Sequence, residues 1–271
     1  MGTDLFSLSD FNFTDYCARQ RTCFVANEGN AGDGVIALGM RHWMEKNALQ
    51  HIPVLRSDDP AIQYYEAVIF GGGGNLIPAY STGFDFIRSA YDQGRNIVVL
   101  PHTIAGRMIE WQRMSDRITL FCREKVSYYA LINNGFPSAK IGLDHDMAFQ
   151  IPQRFFENTN RADCSTAHCF RGDEEQNLKR RLLSRDNRDI SLSWNGALWH
   201  NAELCRSSSE GFVHYLSQYR RVETDRLHVA IVAARMGLET NLYSGSYYKN
   251  RAVYEFSLKD HYPNVSYLEW S

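Results

Sequence analysis

Ala67-Val68-Ile69-Phe70-Gly71-Gly72-Gly73-Gly74 decides the fold: four apolar residues without a polar interruption, then four glycines. A short apolar run closed by turn residues fits a strand buried on both faces. Four successive glycines give up stability unless something must approach the backbone closely. The unit recurs on either side. Cys23-Phe24-Val25-Ala26 runs into a turn-forming stretch over 27–34, followed by a helical pattern that puts Ile36, Met40, Trp43 and Met44 on one face. Downstream, the pattern predicts a helix over 84–93 and a strand Asn96-Ile97-Val98-Val99-Leu100 closed by Pro101. A strand Ile118-Thr119-Leu120-Phe121-Cys122, a helix over 125–133 and a strand Lys140-Ile141-Gly142-Leu143 follow. Strand, turn and helix in alternation predict a parallel sheet covered on both faces. In such sheets ligands bind at the carboxyl ends of the strands. Asn30, Asp33, the glycines, His102, Arg123 and Asp146 all follow strands and converge on that edge.

The polar stretch 151–163 carries Pro152, lacks periodicity and reads as a linker between an N-terminal unit (1–150) and a smaller C-terminal one (164–271). In the second unit, strands are expected at Ala167-His168-Cys169-Phe170, Ile190-Ser191-Leu192-Ser193-Trp194, Arg221-Val222-Glu223, Thr240-Asn241-Leu242-Tyr243 and over 265–270. Helices are expected over 174–183, 211–219, 225–236 and 250–258. Two facing Rossmann-like α/β units would place a site in the gap between them.

A formal charge of −2 gives no bulk electrostatic argument for a nucleic-acid partner. The start, Met1-Gly2-Thr3-Asp4-Leu5, shows neither a basic nor an apolar leader region, and no apolar run has the length of a membrane span, so a cytoplasmic protein is expected. Six scattered cysteines without CxxC pairs fit reduced thiols better than a disulfide frame. Cys164, His168 and Cys169 lack a fourth ligand at zinc spacing, so no metal is expected.

Asn30-Ala31-Gly32-Asp33 supplies the glycine of a tight turn and opens a helix whose first N–H groups can hold an anion or a sugar hydroxyl. No Lys-Ser/Thr follows Gly71-Gly72-Gly73-Gly74, which excludes a P-loop; Gly72, Gly73 and the following Asn75 are expected at the ligand. Thr224-Asp225-Arg226-Leu227-His228 carries the most weight. Leu227, Ala230, Ile231 and Ala234 form a buried stripe, Thr224 is the expected N-cap, and Arg226 and His228 share the first turn. A cation there opposes the helix dipole, costing roughly 0.3–1 kcal/mol, which makes sense if an anion sits between them.

The order Asn-x-Gly-Asp, Gly-Gly-Gly after the next strand, an Arg after a mid-domain strand and a late Thr-Asp-Arg-Leu-His resembles polysaccharide pyruvyl transferases. The ending Tyr248-Lys249-Asn250-Arg251-Ala252-Val253-Tyr254-Glu255 is similar to the shorter bacterial exopolysaccharide branch. The resemblance implies a two-domain, GT-B-like fold. It also implies transfer of the enolpyruvyl carbons of phosphoenolpyruvate to a sugar as a pyruvate ketal, with phosphate released and no cofactor beyond this co-substrate. Acceptors would be lipid-linked oligosaccharides at the cytoplasmic membrane face, implying peripheral membrane contact, or polymer repeats. Arg123 and Arg226 would clamp the donor from the two halves, meeting across a crevice free of purely internal ion pairs. His228 would be the general acid, and Asp33 or Asp146 would take the proton from the sugar hydroxyl. Arg171, Lys249, His102 and Leu227 would complete the substrate contacts. A nucleotide-sugar glycosyltransferase is the competing enzyme, and a non-catalytic sugar-binding module the competing non-enzyme. Oligomeric state stays open.

Overall fold

The apolar runs form a parallel sheet. The computed structural model describes residues 6–157, 166–173, 175–177, 179 and 185–270. In it β1 (Thr22–Val25) lies between β3 (Val54–Leu55) and β4 (Ala67–Phe70). The sheet continues through β6 (Asn96–Ile104), β7 (Ile118–Cys122) and β8 (Ile141–Leu143), while β5 (Gly73–Leu76) pairs with the carboxyl half of β6. All these pairings are parallel.

Successive strand residues point to opposite faces, and both faces are apolar. Val25, Val68, Val99 and Leu120 pack against Phe84 and Ile87 of α3 (Thr82–Asp92), Trp111 of α4 (Met108–Arg113) and Leu131 of α5 (Lys125–Asn133). Phe24, Ile69, Val98 and Phe121 pack against Phe13 of α1 (Phe13–Ala18) and Met40, Trp43 and Met44 of α2 (Ala31–Lys46). The chain leaves β1 for β3 and then crosses back to β4. Their carboxyl ends are therefore a topological switch point, where such sheets take ligands.

A second parallel sheet runs β9 (Thr166–Cys169), β11 (Arg221–Thr224), β12 (Glu239–Tyr243) and β13 (Val265–Leu268), with α6 (Ala202–Leu216), α7 (Leu227–Arg235) and α8 (Lys249–Val253) around it. Two-residue strands tie the halves together: β2 (Gly29–Asn30) pairs antiparallel with β10 (Asn195–Gly196). The halves also share a core, in which Ala31, Val35 and Leu38 of α2 meet Trp199, Cys205 and Phe212 and Ala230 of α7. Residues 151–157 of the expected linker pack into this core through Ile151 and Phe156, and Arg235 donates to the carbonyls of Phe149 (2.9 Å) and Ile151 (2.6 Å). The rest of that stretch, 158–163, lies outside the described residues, as do Cys164 and residues 174, 178 and 180–183 of the helix expected over 174–183.

Several expectations need correction. Pro101 does not close its strand, which runs to Ile104. The proline falls where β6 exchanges β4 for β5 and where its register against β7 shifts, so its missing N–H interrupts no regular ladder. The run 190–194 is a 3-10 turn over Ile190–Ser193, with Leu192 N–H donating to Asp189 O at 3.1 Å instead of to a neighbouring strand. The helix expected from 211 begins at Ala202, capped by Asn201 accepting from Glu203 N (2.9 Å) and Leu204 N (3.1 Å). Its serines do not break it, since Ser209 donates back to Cys205 O at 2.8 Å. Thr224 remains in β11, donating to Cys169 O (2.6 Å) and accepting from Arg226 N (2.9 Å), so Arg226 itself occupies the cap position of α7. The last helix is α8 continued by a π-helical turn over Tyr254–Leu258.

Candidate active site

The carboxyl ends of both sheets open on a cavity of about 670 Å³. The first half contributes Asn30 and Asp33 beyond β1, Gly74 and Asn75 in β5, and Arg123 beyond β7. The second contributes Arg171 beyond β9, Arg226, Leu227 and His228 beyond β11, and Lys249 beyond β12.

Asn30 caps α2, its Oδ1 accepting from Gly32 N at 2.8 Å. Gly32 lies inside α2 and forms no tight turn, contrary to expectation. It is small for another reason: a Cβ there would stand 2.6 Å from His228 Nδ1. Two residues on, a Cβ at Gly34 would stand 2.7 Å from the Trp199 ring. These glycines admit side chains from the second half to the start of α2. His228 is thereby pressed against the first half, its Nε2 buried without a hydrogen-bond partner and 3.5 Å from Asp146 Oδ2.

The two candidate carboxyls have opposite environments. Asp146 is fully buried, pairs with Arg123 Nη1 at 2.6 Å and accepts from Ala148 N at 2.9 Å. Burial pushes its carboxyl up, but His228 and the Arg123 guanidinium outweigh this and hold it below the usual range. It is not among the cavity-lining residues, whereas Asp33 is. Burial raises Asp33 to about 6, despite the opposing charges of His228 and Arg123. A carboxyl at that value can both accept and return a proton near neutral pH.

Arg123 and Arg226 line the same cavity, but neither stands free. Arg123 is 1% exposed and gives Nη1 to Asp146 and Nε to Thr103 Oγ1 (2.9 Å). Its Nη2 lies toward the glycine run, 2.5 Å from where a Cβ on Gly74 would be. Arg226 grips Asp189 through Nε (2.9 Å) and Nη2 (2.5 Å), and Nη2 also meets Asp173 at 2.8 Å. Arg171 binds Asp173 (2.6 Å) and Glu175 (3.0 Å), and Lys249 binds Glu175 at 2.5 Å. Burial brings Lys249 down to about 8, against the pull of Glu175. The reason is general: a charge withdrawn from water needs a partner.

His102, Gly72 and Gly73 lie behind the cavity wall. His102 is fully buried, stacks on Phe70 and sits 3.2 Å from Asn75 Oδ1. Burial, then the charge of Arg123, drops it to about 3, so it is neutral. Asn75, which reaches the cavity, is held from behind by His102 and by Asn27, to which its Nδ2 donates at 2.8 Å. A Cβ on Gly73 would collide with Asn27 Nδ2, so this glycine serves the asparagine pair.

The family model of the polysaccharide pyruvyl transferases matches residues 30–244. The chain belongs to the polysaccharide pyruvyl transferase family. The crystal structure of a functionally uncharacterised protein from Klebsiella pneumoniae is similar over 98% of this chain and 99% of that chain, with a TM-score of 0.86 and 35% identity. No curated protein matches.

Within this transferase family member, the matched span contains every expected site residue except Lys249. Glu28, Tyr80, Asp173, Glu175, Ser191, Leu192, Asn195 and Gly196 also line the cavity and were not singled out from the sequence. Asp173 and Glu175 had one usable signal, their place directly after Arg171 at a strand end. Among the described residues no group of three or more His, Cys, Asp or Glu side chains is set to hold a metal ion, and no helix is long and apolar enough to cross a membrane.

Proposed function

We propose that this family member transfers the enolpyruvyl unit of phosphoenolpyruvate onto two hydroxyls of a saccharide, closing a pyruvate ketal and releasing phosphate. One juxtaposition carries the proposal. An imidazole whose Nε2 is buried without a hydrogen-bond partner, His228, and a carboxyl raised to about 6, Asp33, share a cavity with arginines from both halves.

Asp33 takes the proton of the first attacking hydroxyl, the role for which its poised carboxyl is better suited than the ion-paired Asp146. Protonated His228 delivers a proton to C3 of the donor as the sugar oxygen adds to C2, giving a phosphorylated hemiketal. The second hydroxyl then displaces phosphate, which leaves with that hydroxyl's proton. Asp146, 3.5 Å from Nε2, orients the imidazole. The N–H groups at the start of α2 beyond the one Asn30 caps, and the arginines, meet the donor's negative charges.

The two sheets, divided at 151–163, act in this proposal as lobes of a GT-B-like pair with the acceptor entering between them. The acceptor is a polysaccharide repeat or its lipid-linked precursor, met in the cytoplasm at the membrane face. Phosphate release from phosphoenolpyruvate, measured with a panel of galactosides, glucosides and N-acetylmannosaminides, tests this. Acceptor-dependent release that disappears in both His228→Asn and Asp33→Asn is expected; release indifferent to both substitutions would overturn it.

A further inference from the structure

Three cations of the second half face the cavity already neutralised: Arg171 by Asp173 and Glu175, Arg226 by Asp173 and Asp189, and Lys249 by Glu175. The three carboxylates are not equivalent. Asp189 is absent from the cavity lining; it holds Arg226 at two points from behind and accepts from Gly172 N at 2.9 Å. Asp173 and Glu175 line the cavity itself. Glu175 also accepts from the Tyr80 hydroxyl of the first half at 2.8 Å, so it spans the crevice.

An anion entering beside the second half meets that half's three cations already balanced by Asp173, Glu175 and Asp189, a cluster with no net attraction. It also needs the same N–H donors that Asp173 and Glu175 now occupy. We infer that Asp173 and Glu175 are resident counter-anions that a phosphate group must displace, so that these two residues set the anion affinity of the cavity. Displacement of this kind presupposes that the cavity takes a phosphate ester, as proposed above. It occurs by movement and not by protonation. Burial pushes both carboxyls up, but Lys249 and Arg171 at Glu175, and Arg171 and Arg226 at Asp173, hold them below the usual range. A Cβ on Gly172 would meet nothing within 4 Å, so open space adjoins the backbone that carries Asp173.

Acidic residues that merely shape a site and those that fill it respond oppositely to neutralisation. Calorimetric titration of orthophosphate into the full chain separates them. Asp173→Asn and Glu175→Gln are each expected to lower Kd for orthophosphate about tenfold, a modest fraction of one unit charge a few ångströms away in a partly solvated site. Asp189→Asn, which loosens Arg226 from behind, is expected to raise it. Asp173→Ser repeats the first measurement at the more exposed of the two positions, should Glu175→Gln fail to fold. Unchanged or weaker binding in the folded Asp173 and Glu175 variants, with wild-type binding intact, would overturn the resident-anion inference alone. Orthophosphate binding to none of the proteins would remove the phosphate-ester proposal and this inference with it.

Discussion

Asp33→Asn should stabilise the fold at neutral pH while abolishing turnover. Burial raises the Asp33 carboxyl from 3.8 to about 6, with His228 and Arg123 pulling against that rise. Because the folded-state value is the higher one, the folded chain holds this proton more tightly than the unfolded chain. The stability it contributes is fully present below 3.8 and is lost as pH rises through about 6. At 1.36 kcal/mol per pH unit, the gap makes the ionised carboxylate cost about 3 kcal/mol above neutrality. Asparagine has nearly the same shape and never ionises. Wild type and variant should therefore unfold alike near about pH 4 and differ by about 3 kcal/mol near about pH 8. For a chain of this length that is roughly 5 °C in Tm. Urea unfolding followed by tryptophan fluorescence at both pH values measures the difference. Equal stability at the two extremes, or a variant weaker than wild type at high pH, would refute the assignment of Asp33 as a strained, poised carboxyl. Retaining a carboxyl that costs stability is what a catalytic requirement looks like.

His228→Asn should lower acceptor-dependent phosphate release by about 10²–10⁴-fold, the usual worth of a general acid, with Tm unchanged. Gly32→Ala should drive a Cβ against His228 Nδ1 (2.6 Å) and Asn30 Oδ1 (3.0 Å). Steady-state kinetics should then show kcat falling by up to about 10²-fold, as for other misplaced catalytic groups, with KM for the donor changed far less. Arg123→Met leaves Asp146, fully buried, without its ion-pair partner. Denaturant midpoints should report a loss of about 3–5 kcal/mol, partly restored when Asp146→Leu is added.

Local signals carried much of the fold. The bounds Ala67–Phe70, Ile118–Cys122 and Lys125–Asn133 follow directly from apolar runs flanked by glycine, polar residues and turns. The parallel sheet then places everything that follows a strand at one edge, which is why Asn30, Asp33, Arg123, Arg171, Arg226 and His228 meet at one cavity. Long-range contacts were not legible. The small side chains at Gly32 and Gly34 answer to His228 and Trp199, distant in the chain, and the pairing of Asn30 with Asn195 has no local signature. The alternation in Ile190–Ser193 reads as a strand, yet among the described residues it pairs with none and coils into a 3-10 turn. Choosing between Asp33 and Asp146 required knowing that one carboxyl is matched by Arg123 and the other faces the cavity. Neutralisation of Arg226 was hidden for the same reason, since its partners Asp173 and Asp189 are far away in sequence.

Phosphoenolpyruvate labelled with carbon-13 at C2, incubated with the chain and a saccharide acceptor, puts the proposed chemistry to a single spectroscopic reading. The label should appear on the acceptor as a quaternary ketal carbon, one per phosphate released, and only with intact His228 and Asp33. Label recovered solely as free pyruvate, or an acceptor glycosylated from a nucleotide sugar instead, would contradict it.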